Sequence, residues 1–284
     1  MARALIARVS AAALLLFACG CSSSSASSSD AGTADDASSS GDDGGWASGD
    51  DQYGDSGHPV PVDGGYAVGD AGGVLRADRF VTGVVSFSPT DCAGFGVPSM
   101  PGIVEGPPVG GGTSHGSTDV VSLGSGGSIV VSFDPNAIVD GPGPDFIVFE
   151  NPFVIGGGSP TDPNDVYAEP GQVSVSDDGT TWHTFPCTPT PDPQSPIGTG
   201  TAPPYGSCAG WHVVYSAPGN GISPVDATAA GGDAFDLAAI GVTHARYVRV
   251  VDQTSESCPA SGAQKPTTNG FDLDAVVIVN AERP

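Results

Sequence analysis

Short apolar runs alternate with clusters of Gly, Pro, Asp and Asn from about residue 80 to the end of the chain. None of the runs has the 3.6-residue period of an amphipathic helix. One helical turn is expected within Ala234–Ile240. Short runs bounded by turn residues favour an all-β fold, here a single jelly-roll β-sandwich of about 200 residues. The pattern predicts strands at Val81–Phe87, Asp119–Leu123, Ser128–Phe133, Asp145–Glu150, Gln172–Ser176, Thr181–Phe185, Trp211–Tyr215, Ala245–Val251 and Phe271–Val279.

One β-hairpin can be followed residue by residue. Val173–Ser176 alternates apolar and polar positions, Asp177–Gly179 supplies a turn, and Thr181–Phe185 alternates back. The Asp-Gly pair favours a tight hairpin turn because glycine readily adopts a positive φ. We expect Trp182, in the returning strand, to pack against a face of the sandwich because large aromatic rings dominate β cores. The alternative is that its ring stacks on a ligand.

The first 21 residues follow a different pattern. Arg3 and Arg8 precede an apolar run, Val9–Ala18, which is shorter than the roughly 20 residues that a membrane span requires. A basic start, a short apolar core and small residues before a cysteine predict an export signal peptide. The cysteine at the cleavage point resembles a bacterial lipobox. This resemblance implies that a diacylglycerol thioether anchors the mature protein in the cell envelope, at the outer membrane or cell surface.

Two cysteines compete for the lipid. Leu16 stands three residues before Cys19, and Gly20 precedes Cys21, so both positions fit the pattern. Lipidation at Cys21 leaves an even number of cysteines, which suits an oxidising compartment and favours that residue. The alternative is an ordinary cleaved signal peptide without a lipid.

Charge divides the remainder of the chain. The protein has 32 acidic and 8 basic residues, and a net charge of −24 argues against nucleic acid as a partner. Ten of the aspartates and none of the basic residues lie in 22–75, among Ser, Gly and Ala. Such a composition cannot bury enough apolar area to fold, so this segment is predicted to be a disordered tether. Residues 76–284 are the predicted β-sandwich domain.

Four cysteines follow the tether, and they allow three disulfide pairings. Cys187 and Cys208 flank a proline-rich loop that has no predicted structure of its own. A disulfide across its ends would stabilise the protein by about 3 kcal/mol, because it reduces the entropy of the unfolded chain. We therefore favour Cys187–Cys208, which leaves Cys92 to pair with Cys258.

Several segments resemble those of known exported proteins. Val175–Trp182 and Ala245–Val250 are similar to strands of discoidin-type, galactose-binding-like domains. Residues 80–280 resemble a family of bacterial exported cell surface proteins, and the matching segments are Asp119–Gly124, Asp140–Phe146, Phe149–Phe153, Gly232–Leu237 and Gly270–Val276. The resemblance implies a secreted jelly-roll body of the galactose-binding-like type. It implies no established activity, because that family is largely uncharacterised.

Acidic residues near the strand ends are candidate calcium ligands, since Ca²⁺ prefers six to eight oxygen ligands. The last strand also resembles that of jelly-roll carbohydrate-binding modules, in which an aspartate near its start often holds structural calcium. The alternative is that these acids cap turns by accepting backbone N–H groups. The main candidates are Asp140, Asp145, Glu150, Asp233, Asp236, Asp272 and Asp274, and a weaker set comprises Asp162, Asn164, Asp165 and Glu169.

Aromatic residues near loops are the candidate ligand-binding residues, at Tyr167, Tyr205 and Trp211, because exposed rings can stack on sugars. We predict no catalytic residues. The sequence favours a surface-anchored, non-catalytic binding or adhesion lipoprotein that is stabilised by calcium and meets an extracellular glycan or protein. One alternative is a polysaccharide hydrolase that uses paired carboxylates such as Asp272 and Asp274. The other is a structural envelope protein with no soluble ligand.

Overall fold

Short antiparallel strands make up most of the regular structure of this protein. The computed structural model describes residues 65–67, 74–162, 165–188, 207–254, 258 and 266–284. No α-helix lies within these residues, and the helical segments there are 3₁₀ turns at Ala77–Arg79, Val97–Ser99, Gly102–Val104 and Leu237–Ile240. The prediction of an all-β fold is confirmed.

In chain order the strands are β1 Gly65–Ala67, β2 Val74–Arg76, β3 Gly83–Ser88, β4 Val121–Ser122, β5 Ser128–Ser132, β6 Ile138–Val139, β7 Phe146–Phe149, β8 Phe153–Val154, β9 Val166–Tyr167, β10 Gly171–Ser176, β11 His183–Thr184, β12 Cys208–Ala209, β13 Asp233–Phe235, β14 His244–Ala245, β15 Tyr247–Asp252, β16 Asp272–Leu273 and β17 Ala275–Ile278.

Two sheets dominate the fold. The large sheet has the order β11–β10–β15–β5–β3, with β12 also beside β10, and the small sheet has the order β13–β7–β17. Four further pairs join β1 to β2, β4 to β16, β6 to β14 and β8 to β9. All of these pairings are antiparallel.

Both sheets contribute side chains to one hydrophobic core. The large sheet supplies alternate residues such as Val173 and Val175 of β10, and the small sheet supplies Phe146 and Val148 of β7. Alternate residues of a strand lie on opposite faces, so each sheet turns one face toward this shared core. Burying each of these side chains stabilises the fold by about 1.5–3 kcal/mol. The jelly-roll, galactose-binding-like type of sandwich stays a prediction.

The small sheet is buried on its other face as well. Ile147 and Phe149 of β7 belong to a second buried cluster, together with Phe80 and Tyr66. The rings of Tyr66 and Phe80 meet edge to face at 4.9 Å. Burial on both faces explains why Phe146–Phe149 is continuously apolar rather than alternating. Tyr66 belongs to β1, so the stretch 22–75 that was predicted to be a tether contains residues of a β-strand.

The sequence located most of the longer strands and misplaced one. The predicted hairpin is confirmed: Ser174 pairs with Thr184 and Val175 with His183, and Gly179 has a φ of 72°. The strand predicted at Trp211–Tyr215 is wrong, because that segment makes only an isolated bridge between Val214 and Gly231.

Both favoured disulfides are present. Cys187 bonds to Cys208 across 21 residues, and Cys92 bonds to Cys258 across 166 residues. The predicted signal peptide with Cys19 and Cys21, the tether up to residue 64, and the ligand-binding candidate Tyr205 lie outside the described residues.

Candidate metal centre

Three carboxylates from distant parts of the chain meet at one buried point, here called the buried triad: Glu150, Glu169 and Asp272. Glu150 directly follows β7, Glu169 lies two residues before β10, and Asp272 begins β16. One oxygen from each lies within 4.8 Å of the others. Oxygen ligands lie about 2.3–2.6 Å from a calcium ion, so two ligands of one ion are no more than about 5 Å apart. The spacing of the buried triad therefore suits a single cation.

Burial makes the triad electrostatically unfavourable without a positive charge. The side chains of Glu150, Glu169 and Asp272 are only 1%, 4% and 4% exposed. Burial raises the pKa of Glu150 well above its ordinary value, and the negative charges of Glu169 and Asp272 raise it further. Two backbone N–H groups, of Asp272 and Asn151, act in the opposite direction. A cation bound among these oxygens would offset both the burial and the mutual repulsion.

Glu150 has one oxygen that makes no hydrogen bond to the described residues. Its Oε1 accepts a hydrogen bond from the backbone N–H of Asp272 at 3.2 Å. Its Oε2 is buried and accepts no hydrogen bond from the described residues. A buried acceptor without a donor costs about 1–3 kcal/mol, and more when it is charged. A bound metal ion would satisfy this oxygen.

Further oxygen-bearing side chains lie beside the triad. Ser122 is the direct partner of Asp272 in the β4–β16 pair, so the two side chains lie on the same face. Its Oγ is buried and makes no hydrogen bond to the described residues. The side-chain amide of Asn151 donates to Asp272 Oδ2 at 3.4 Å and to the backbone oxygen of Ser117 at 3.1 Å. The site therefore contains oxygen groups in addition to its three carboxylates.

Local strand geometry and one glycine explain how the triad forms. Phe271 and Leu273 point into the shared core, so Asp272 between them points to the opposite face. Gly210 has a φ of +92°, and a Cβ there would lie 2.3 Å from the backbone oxygen of Glu169. Glycine is thus required at position 210 for this loop to approach the segment that carries Glu169.

A second acidic group, here called the capping cluster, comprises Asp140, Asp145 and Asp236, and it has the same 4.8 Å spacing. Its buried member, Asp145, has both oxygens occupied. Oδ1 accepts from the backbone N–H of Gly141 at 2.9 Å and from the amide of Asn280 at 2.8 Å. Oδ2 accepts from the backbone N–H of Leu237 at 2.8 Å.

Asp236, the half-buried member of the capping cluster, has a local structural role. It accepts from the N–H of Ala238 at 2.8 Å and so caps the Leu237–Ile240 turn. Hydrogen bonds to the backbone thus account for both of these carboxylates, as the turn-capping alternative predicts.

The remaining metal candidates lie outside both groups. Asp233 accepts from the backbone N–H groups of Gly210 at 2.6 Å and Trp211 at 3.2 Å, and it bonds the ring of His212 at 2.6 Å. Asp274 accepts from the N–H of Val109 at 3.1 and 3.2 Å, and burial raises its pKa well above the ordinary value.

The acidic members of the weaker set do not form a group of their own among the described residues. Asp165 accepts from the N–H of Ser159 at 2.7 Å, and Asn164 lies outside the described residues. Glu169 instead joins two members of the main set, Glu150 and Asp272. The sequence named all three carboxylates of the buried triad as candidates but assigned them to two different sites.

The described loop aromatics pack into the protein. Tyr167 stacks on Phe153 with ring centres 5.3 Å apart. Trp211 is half-buried, packs beside the apolar cluster that contains Cys208, and has its ring centre 3.5 Å from that of His212. Part of each ring is therefore covered by contacts within the protein.

Comparisons with known proteins provide no assignment. No protein-family model matches the sequence, and no curated protein is significantly similar to it. Among the described residues, no helix has both the length and the apolar character needed to cross a membrane. The function of this chain is therefore inferred from its fold and from the side chains described above.

Proposed function

We propose that this protein is a surface-displayed, non-catalytic binding module whose β fold is stabilised by one calcium ion. The ion binds the buried triad, and the ligand is an extracellular glycan. A lipid on Cys21 and an acidic tether hold the module away from the envelope, where its surface can meet that ligand. The observation that carries the metal part of this proposal is the buried, unsatisfied Oε2 of Glu150 beside two further carboxylates.

The donor set favours calcium over other metals. The triad offers carboxylate oxygens, and hard cations such as Ca²⁺ and Mg²⁺ prefer oxygen, whereas zinc and copper favour nitrogen and sulfur. Mg²⁺ usually retains several waters in a strict octahedron, but Ca²⁺ accepts a larger, irregular shell of protein oxygens. Side chains that are 1–4% exposed leave little space for a hydrated ion. Ca²⁺ is therefore the expected occupant.

The same burial favours a structural role over hydrolysis. A glycosidase must place its two carboxylates on either side of a scissile bond, within a cleft that admits the substrate. The triad is enclosed, and a polymer has no access to side chains exposed by only 1–4%. Asp274, the other acid of the hydrolase alternative, is equally enclosed and accepts a backbone hydrogen bond. These facts support a non-catalytic module.

Thermal unfolding of the full chain tests the calcium proposal. Calcium at about 100 times its dissociation constant should stabilise the folded state by about 2.7 kcal/mol, because the ion binds only that state. For a domain of this size, this corresponds to a rise in Tm of about 5–11 °C relative to chelator. Magnesium at the same concentration is the control and should give a much smaller rise. Identical melting curves in calcium and chelator would overturn the calcium assignment.

Mass spectrometry of the mature protein tests the anchor separately. The proposal predicts a membrane-associated polypeptide that begins at Cys21 and carries a diacylglycerol group. A mature chain that retains residues 1–20, or that starts at another residue without a lipid, would contradict anchoring but leave the calcium site unaffected.

A further inference from the structure

Arg249 and Trp182 form a stacked pair on the outer face of the large sheet. Val248 and Val250 of β15 point into the shared core, so Arg249 between them points away from it. The guanidinium carbon of Arg249 lies 4.4 Å from the centre of the Trp182 ring, which is the geometry of a cation–π contact. Trp182 directly precedes β11 at the edge of the sheet. Both side chains are half-buried.

The guanidinium of Arg249 makes few hydrogen bonds. Its Nε is buried and donates to none of the described residues. Among the described residues, its Nη2 reaches only Ser174 Oγ, at 3.5 Å. Arg246, three residues earlier, instead lies 3.5 Å from Asp177 and 3.8 Å from Asp134. Arginine offers five N–H donors, so Arg249 has donor capacity that its contacts with the described residues leave unused.

The neighbours of this pair are hydroxyl groups and a second aromatic ring. Ser174 Oγ lies 2.9 Å from Thr184 Oγ1 in the adjacent strand. Tyr247 stands two residues before Arg249 in β15 and therefore lies on the same face. The surface thus combines aromatic rings, hydroxyl groups and a multi-donor guanidinium. Sugars present the complementary features, which are an apolar face of C–H groups and a rim of hydroxyl acceptors.

We propose that Trp182, Arg249, Thr184 and Tyr247, here called the outer-sheet site, bind a neutral saccharide. The site rests on the proposed binding function and locates it away from the loop aromatics. Arg249 donates to ring hydroxyls, the exposed hydroxyl of Thr184 exchanges hydrogen bonds with them while the buried Ser174 holds it in place, and the aromatic rings pack against the C–H face. A neutral ligand is favoured because a protein with a net charge of −24 repels polyanions.

Binding of the full chain to immobilised polysaccharides tests this site. The probes are neutral glucans, galactans and mannans, with polygalacturonate and an acidic peptide as charged counterparts. For a bound neutral probe, Arg249→Gln and Trp182→Ala should each weaken affinity about tenfold or more, because each removes contacts worth at least about 1.4 kcal/mol. Arg249→Lys should also weaken binding, since it keeps the charge but loses the planar fork. The matched controls Arg246→Gln and Trp211→Phe should bind as the wild type does.

The outcomes separate this site from the proposed function. If the wild type binds a neutral probe but Arg249→Gln and Trp182→Ala leave its affinity unchanged, the outer-sheet site is wrong while glycan binding stands. If the wild type binds no polysaccharide, the binding function fails and the site fails with it. Binding only to polygalacturonate or to the acidic peptide would also overturn the neutral-sugar assignment. Each variant should retain the calcium-dependent rise in Tm, which shows that it is folded.

Discussion

The buried triad and the capping cluster contain the same chemical groups at the same spacing, yet they differ in what surrounds them. In the capping cluster, Asp145 accepts three hydrogen bonds, two of them from backbone N–H groups. In the buried triad, Glu150 keeps one buried oxygen that accepts none from the described residues. Proximity of acids alone therefore does not identify a metal site. The supply of backbone donors decides whether a carboxylate group is complete without an ion.

The largest expected effect comes from the capping cluster. Replacing the fully buried Asp145 by Ala removes the shared acceptor of three hydrogen bonds, which come from the backbone N–H groups of Gly141 and Leu237 and from the amide of Asn280. We expect the free energy of unfolding to fall by about 4 kcal/mol, since each lost charged hydrogen bond costs about 1.5–3 kcal/mol and the losses are only partly additive. Denaturant unfolding in calcium and in chelator measures this change. The loss should be equal in both solutions, and a loss confined to calcium would mean that Asp145 binds the ion.

The next effect comes from Glu150→Gln in the buried triad. In calcium, this variant should lose most of the stabilisation of about 3 kcal/mol that the ion provides, because an anionic ligand has been removed. In chelator, it should be as stable as the wild type or more stable by about 1 kcal/mol, because one of three mutually repelling carboxylates is gone. Denaturant unfolding under the two conditions measures both changes. Equal destabilisation in both solutions would show that Glu150 is only a packing residue.

A smaller effect concerns pH. In chelator, burial raises the pKa of Glu150, so the folded state binds a proton more tightly than the unfolded state does. The stability present below the unfolded carboxyl pKa is then lost as the pH rises through the folded pKa. Calcium binds the ionised form and offsets this loss, so its stabilising effect should grow between about pH 5 and pH 8. Unfolding free energies with and without calcium across this range measure the difference.

Asp274 provides an internal control for that experiment. Its pKa is also raised by burial, but it lies outside the triad and should contribute the same decline with and without calcium. The difference between the two solutions therefore reports the triad. A calcium effect that is constant or decreases as the pH rises would contradict coordination by Glu150.

The smallest effect is expected at Asp236, the half-buried member of the capping cluster. Asp236→Ala removes the side-chain cap of the Leu237–Ile240 turn. A lost cap of this kind costs about 1 kcal/mol. Thermal unfolding should show a drop in Tm of a few degrees, with the calcium-dependent rise intact. A loss of that rise would move the metal site from the buried triad to the capping cluster.

The sequence predicted the parts of the fold that depend on local pattern. Alternation and an Asp-Gly turn sufficed for the β10–β11 hairpin, and loop closure sufficed for Cys187–Cys208. The strand predicted at Trp211–Tyr215 failed because Asp233, which is distant in sequence, fixes the backbone N–H of Trp211. A hydrogen bond between a backbone N–H group and a side chain of another strand cannot be detected from the local pattern of apolar and polar residues.

The metal candidates show the same limit more clearly. Asp272 lies on the face opposite Phe271 and Leu273, as the alternation of side chains along a strand requires. Glu169 was assigned to a different group from Glu150 and Asp272. The sequence could not show that the three lie side by side, because only the folded structure brings these distant segments together. Nor did the sequence show that Asp145 would meet the N–H of Leu237 and the amide of Asn280. Composition supplied the candidate carboxylates, and tertiary contacts decided which of them lack donors.

Direct measurement of bound calcium tests the central claim most closely. Titration calorimetry of the calcium-stripped full chain should show one ion per molecule for the wild type and for Asp236→Ala. Glu150→Gln should bind calcium at least about tenfold more weakly, because it lacks one anionic ligand. No detectable binding by the wild type, or unchanged affinity in Glu150→Gln, would contradict the assignment of the buried triad as a calcium site.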